Sequence, residues 1–351
     1  MAATKRRFTI KDIAQQSGVS LSTVSLVLNG NPRISEATRA KVHKTMARLG
    51  YQPNRMARAL AWRHTRTLAV LMPQLKHGFA DVYFGEIVSG IYDKACRLGY
   101  KILLEVARTE FIESKEYLQL FDQKFVDGIL FIGANYRHRF IEDFADGSRP
   151  MLMVNNYSKE FDLNYVVSNY RYGAWQATQH LVRLGHQRIG FITGGQHEIQ
   201  TSQDIFESFQ EVLAERNIPL DQNLVVDGWL TEEGGMKATE QLLRHEPQLT
   251  AIFALNDKMA LGAIKKLNEL GLRIPQDIAV VGFDDIPQAS FSIPGLTTVH
   301  QPLYEIGKQS CERLIELIHR RTDRVQEVVP IYLVVRESCG AKAKDALPQP
   351  V

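Results

Sequence analysis

Two textures divide the chain. Up to about residue 66, apolar residues recur at helical spacing; beyond it, short continuous apolar runs alternate with amphipathic stretches. In the first part, Ile10, Ile13 and Ala14 share one face of a helix expected over Ile10–Ser17, which Thr9 can cap and Gly18 breaks. Ser20 can cap a second helix that turns Val24, Val27 and Leu28 inward. Asn29-Gly30-Asn31-Pro32 reads as a turn, and Ser35 with Thr38 opens a third helix that runs to Leu49 and stops at Gly50. Tyr51-Gln52-Pro53-Asn54 then leads into a short Ala/Arg-rich segment, Arg55–Trp62.

In the second part, apolar strands are expected at 67–72, 101–106, 127–132, 151–154, 188–193, 250–255 and 278–283. Amphipathic helices at Asp81–Leu98, Tyr170–Leu184, Thr231–His245 and Lys258–Leu270 lie between them. Continuous apolar strands alternating with helices predict parallel sheets buried on both faces, here two doubly wound lobes with a cleft at the carboxyl ends of their strands. The expected division is a three-helix head at 1–52, a hinge at 53–66 and a core at 67–340. Lobe one takes about 67–162 and 295–325, lobe two about 163–294 and 326–340, and 341–351 reads as a disordered tail.

Charge sharpens the division. The 351 residues carry a net charge of +3, yet residues 1–66 contain thirteen Lys/Arg against Asp12 and Glu36, a net of +11, leaving −8 for the rest. A basic module on a mildly acidic body is the electrostatic footprint of a nucleic-acid binder. No apolar run reaches the ~20 residues of a membrane span, and MAATKRRFTI lacks the apolar stretch of an export signal, so a cytoplasmic protein is expected. The scattered Cys96, Cys311 and Cys339 read as reduced thiols with no metal role.

The most informative stretch is Thr9-Ile10-Lys11-Asp12-Ile13-Ala14, then Gly18-Val19-Ser20, Thr23-Val24-Ser25 and Leu28-Asn29. Ala14 is small where two helices cross, Gly18 permits the tight turn, and Val19, Val24 and Leu28 make a miniature core. The second helix is thereby left free to lie in a major groove. The pattern resembles the helix-turn-helix of the LacI/GalR family of bacterial transcription regulators. The likeness continues through Tyr51–Asn54 and Ala57-Arg58-Ala59-Leu60-Ala61 and along the body to about residue 339.

That resemblance implies an all-α helix-turn-helix head on an α/β core like that of periplasmic binding proteins. It places Leu21, Ser22 and Leu26 at base-reading positions, and Thr9, Thr23, Ser25, Asn29 and Arg33 where they bond phosphates. Common members carry a long polar or basic residue where Leu26 stands; leucine can touch a thymine methyl but cannot pair with guanine, unless it merely packs. Asn54, Arg58, Leu60 and Ala61 match a hinge that enters the minor groove, with Leu60 as the wedge. A homodimer on a palindromic duplex follows, with lobe one's helix at Asp81–Leu98 in the interface.

For the body, the resemblance rests on Gly185–Gly190, Ala254–Asp257, Met259–Gly262, Val280–Asp285, Leu296–Val299 and Gln301. It implies a small-molecule effector, a carbohydrate by preference, between the lobes at Asn155, Asn256, Asp257, Asp284 and Gln301, with Tyr83, Phe84 and Trp229 as aromatic walls. Asp284 or Asp257 can equally cap the following helix, and the aromatics can equally fill the core. The family's arginine early in the second lobe is replaced by Ile205, and its glycine by Ser208, which removes a cationic fork and disfavours an acidic ligand. An effector-free architectural DNA binder stays open as the rival. No nucleotide-binding glycine motif, nucleophile elbow or metal-ligand spacing appears, so neither catalysis, cofactor nor metal is expected.

Overall fold

The computed structural model describes residues 8–28, 31, 33–51, 64–74, 81–133, 139–195 and 199–341. It divides into two compact units, Met1–Thr65 and Arg66–Val351.

The first unit contains α1 (Ile10–Ser17), α2 (Leu21–Leu28) and α3 (Glu36–Leu49). Thr9 and Asp12 form a reciprocal capping box at the start of α1. Gly18 ends it at φ 60°, a left-handed conformation that glycine adopts freely, and Val19 N donates back to Ala14 O at 3.2 Å. Ser20 and Ser35 accept from Thr23 N and Thr38 N at 3.0 and 3.4 Å, capping α2 and α3. Ile13, Ala14, Val24 and Val27, expected inward from the helical spacing, close a small core with Val42, and Ile10, Val19 and Leu28 pack against it partly buried.

The second unit runs β1 (Thr67–Pro73), α4 (Val82–Arg97), β2 (Lys101–Ala107), α5 (Thr109–Glu113), α6 (Glu116–Asp122), β3 (Gly128–Ile132), β4 (Met151–Val154) and β5 (Asn164–Ser168). There follow α7 (Tyr170–Arg183), β6 (Ile189–Thr193), α8 (Gln200–Glu215), β7 (Val225–Asp227), α9 (Glu232–His245), β8 (Ala251–Ala254), α10 (Asp257–Glu269), β9 (Ala279–Asp284) and α11 (Pro287–Phe291). It ends with β10 (Thr297–His300), α12 (Leu303–Ile318), β11 (Gln326–Val329) and β12 (Tyr332–Val334).

These strands build two six-stranded sheets, β2-β1-β3-β4-β5-β11 and β7-β6-β8-β9-β10-β12. Every ladder is parallel except β10 with β12. The fold class is therefore the expected one, two doubly wound lobes. The chain passes between sheets three times: after Ser168, after His300 and after Val329. Residues 164–168 and 326–329 pair in the first sheet and 297–300 in the second, the reverse of the lobe limits drawn from sequence. Strand type is local, but the sheet a strand joins is decided by its partners, which periodicity does not reveal.

Within the first lobe, α4 and α12 cross at glycines. A Cβ on Gly90 would stand 2.0 Å from Tyr304 O, and one on Gly307 2.1 Å from Ile87 O. Their backbones touch.

Candidate functional site

In the first unit, α2 turns Val24 and Val27 into the core and leaves Leu21 at 45% exposure and Leu26 at 37%, with Ser22 also exposed. Ser20 Oγ sits 2.8 Å from both Ser22 Oγ and Thr23 Oγ1, so these hydroxyls form one small cluster at the head of α2. Thr9 Oγ1 bonds Asp12 Oδ2 at 2.8 Å, and Ser25 lies half-buried on the same helix as the leucines. Arg33 is exposed beyond the turn. Asn29, Asn54, Arg58, Leu60 and Ala61 lie outside the described residues.

In the second unit, Asn155 follows β4 with φ 52° and is buried. Its Nδ2 donates to Tyr83 Oη and to Gln301 Oε1, each at 2.9 Å, and its Oδ1 accepts from Ser168 N at 2.9 Å. Gln301 Nε2 donates to Asp284 Oδ1 at 2.7 Å, while Tyr83 Oη and Tyr170 Oη meet at 3.2 Å. Tyr83, Asn155, Gln301 and Asp284, all singled out from sequence, thus form one hydrogen-bonded chain. It runs from the first lobe to the end of β9 in the second, at the carboxyl ends of the strands where open sheets present ligand groups.

The chemistry of the chain is that of neutral donors and acceptors. Burial pushes the Tyr83 hydroxyl above its ordinary value, with Asp284 adding to the shift, so it stays protonated. Burial, and then the charge of Asp257, raise Asp284 well above the usual carboxylate range, against the Gln301 hydrogen bond. Asp284 is also held at φ 119°, and Asp285 beyond it at φ 57°. Consecutive side-chain-bearing residues in sparsely populated backbone regions signal a site overdetermined by its surroundings.

Other predicted residues stand apart from that chain. Asp257 is fully buried, with Oδ1 accepting from Thr298 Oγ1 at 2.5 Å and Oδ2 from Ile286 N at 2.9 Å; it ties α10 to the segments after β9 and in β10. Asn256 caps α10 through Met259 N at 2.9 Å, and its amide reaches Leu230 O at 3.4 Å. Phe84 is partly buried against the first lobe's core and meets Tyr83 edge to face. Trp229, by contrast, is 72% exposed, with φ 54° and its backbone N–H donating to Asp227 Oδ1 at 2.8 Å.

Sequence reasoning missed the pairs that join the lobes. Lys258 Nζ lies 2.5 Å from Asp81 Oδ2. Tyr157 Oη and Lys159 Nζ, from the first lobe, reach Asp204 of α8 at 2.7 and 3.3 Å. Ile205, where the arginine was missing, is buried in the second lobe's core, and Asp204 just before it carries the polar contact. Asp81 was expected only as the first residue of the helix Asp81–Leu98; nothing local pointed from it to Lys258.

Residues 9–54 match the family of bacterial regulatory proteins of the lacI type, and residues 178–339 a periplasmic binding protein-like domain. The chain is 32% identical over 314 residues to catabolite control protein A of Priestia megaterium, covering 90% of this chain and 93% of that one. It is 34% identical over 333 residues to the transcriptional repressor PurR of Photorhabdus laumondii, covering 94% and 96%. Among solved structures, the Lac repressor dimer bound to operator and the anti-inducer ONPF superposes with a TM-score of 0.83 at 29% identity, covering 96% of this chain and 100% of that one. The regulator CelR in complex with cellobiose gives a TM-score of 0.73 at 30% identity, covering 95% and 100%.

Proposed function

This chain belongs to the lacI family of bacterial regulatory proteins, and from that premise we propose how this member works. It is a sequence-specific transcription repressor whose grip on a palindromic operator is set by a small molecule held between the lobes. Two copies present two α2 helices to the two half-sites. Thr9, Thr23, Ser25, Asn29 and Arg33 hold phosphates, and Asn54, Arg58, Leu60 and Ala61 serve the minor groove at the centre. The protein works in the cytoplasm, where its operator is; among the described residues no helix is long and apolar enough to cross a membrane. The named relatives are regulators rather than enzymes, and no residue is assigned a catalytic role.

The observation that carries the ligand reading is the chain Tyr83–Asn155–Gln301–Asp284. Its members bond one another at the strand ends, and each can exchange that bond for one to a ligand hydroxyl. A sugar or polyol fits such a set, with Trp229 offering its face to the apolar side of the ring. Asp257 and Asn256 act on the ligand through the backbone they position. That the similar regulator CelR is solved in complex with cellobiose supports a carbohydrate as the effector.

A ligand that favours one lobe angle by ~1.4 kcal/mol changes operator affinity about tenfold. The experiment is a thermal-shift panel of mono- and disaccharides and polyols, followed by operator binding with and without each hit. Asp284→Ala should abolish the ligand response and keep operator binding, and Leu60→Gly should do the reverse. Both variants losing both activities would defeat this division of labour.

A further inference from the structure

We propose that α2 reads its operator through the 5-methyl groups of thymine, with Leu21 and Leu26 as the reading residues. The inference rests on the operator-binding role proposed above and specifies the bases it selects.

The argument begins with what α2 leaves outside. A surface helix of a small unit turns its leucines inward. Here valines at 24 and 27 fill the core, and the two leucines stand in solvent at 45% and 37% exposure. They share the outward side with Ser22 and the half-buried Ser25. Ser22 is the only exposed hydrogen-bonding side chain between them, and its hydroxyl lies 2.8 Å from Ser20 Oγ. None of these side chains can make the bidentate bond that identifies guanine or adenine. The one group in the major groove that an apolar side chain recognises is the thymine methyl.

Charge complementarity identifies duplex DNA as the occupant of this face. Residues 1–66 carry thirteen Lys/Arg and two acidic residues, which suits a polyanion. An apolar protein partner would gain nothing from that charge, whereas the phosphates of a duplex would.

Spacing adds a register. Five helical steps take Leu21 to Leu26, a rise of about 7.5 Å, against about 3.4 Å per base-pair step. The two methyls read in each half-site therefore lie about two base pairs apart.

The test uses the full-length chain. A preferred duplex is selected from a randomised pool, and each thymine of a half-site is replaced in turn by uracil, which deletes the methyl and keeps every hydrogen bond. Two positions about two steps apart are expected to weaken binding about fourfold each, the worth of one buried methyl-sized group. Leu26→Ala should bind the thymine and uracil forms of one of these positions equally while keeping sensitivity at the other, and Leu21→Ala the converse. Leu26→Arg should shift the preferred base at its position to guanine. Equal binding of thymine and uracil at every position, or a selected half-site with no thymine facing α2, overturns the inference and leaves operator binding standing. Failure to select any duplex overturns the operator reading itself, and this inference with it.

Discussion

Lys258 Nζ sits 2.5 Å from Asp81 Oδ2, an ion pair that ties the first turn of α10 in the second lobe to the cap of α4 in the first. Both partners are largely withdrawn from solvent, at 29% and 13% side-chain exposure. Together with Tyr157 and Lys159 on Asp204, it gives the lobes two polar ties outside the chain of cleft residues. Because each tie joins groups from different lobes, a change of lobe angle must break or re-form it.

Asp81 also caps α4, with Tyr83 N donating to Oδ1 at 3.0 Å. Asparagine keeps a capping oxygen and removes the charge. Asp81→Asn should therefore preserve the helix, lower the unfolding free energy by about 1 kcal/mol, and widen the lobes. Urea unfolding and the radius of gyration by small-angle scattering check both effects. An unchanged radius would show that the pair does not restrain the lobes.

Asp257 gives the second lobe a pH dependence of definite sign. Its folded-state pKa is pushed up to about 7, by burial first, against hydrogen bonds from Thr298 and Ile286. The unfolded chain releases this proton near ~3.9, so the folded form binds more protons between that pH and about 7. The stability Asp257 contributes is complete below ~3.9 and is lost as pH rises through that window, by at most ~1.4 kcal/mol per pH unit. Asp257→Asn can accept from Ile286 N and donate to the Thr298 hydroxyl, so the contacts survive without the titration. The difference in unfolding free energy between wild type and variant should shift in the variant's favour from pH 4 to 7 and level off above. A difference independent of pH would contradict the assignment.

Gly90 and Gly307 allow α4 and α12 to touch, each site having a backbone carbonyl within 2.1 Å of where a Cβ would go. Alanine at either position must push the helices apart. Each variant should lose about 1–3 kcal/mol in urea unfolding. A loss below about 0.5 kcal/mol would mean that the crossing is looser than described.

Trp229 is expected to separate binding from folding. At 72% exposure it contributes little packing, so Trp229→Ala should change the unfolding free energy by no more than about 0.5 kcal/mol. The thermal shift produced by the best sugar of the panel should disappear. If stability falls and the sugar response remains, the indole is structural.

Much of this molecule was legible in its sequence, and the pattern of what was not is physical. Helix limits such as Ile10–Ser17 were set by Thr9 and Gly18, and strands such as Met151–Val154 by apolar runs, all local signals. Asn155, Gln301 and Asp284 were reached through the family resemblance, although their mutual hydrogen bonds were not foreseeable. Strands β5, β7, β11 and β12 are three to five residues long, and their place depends on a partner far along the chain. The Asp81–Lys258 and Tyr157–Asp204 pairs span 177 and 47 residues and carry no sequence signature. Asp257 showed the limit from the other side: a carboxylate in the expected motif, after the expected strand, has both oxygens bonded inside its own lobe.

The most direct measurement compares the affinity of the purified full-length chain for a selected palindromic duplex with that for the same duplex scrambled, at ~0.15 M salt and again in the presence of the sugar that shifts its melting most. The account predicts a preference of at least about 10³-fold, steeply weakened by added salt and moved at least about tenfold by the sugar. Equal affinity for the two duplexes, unmoved by any sugar of the panel, would contradict it.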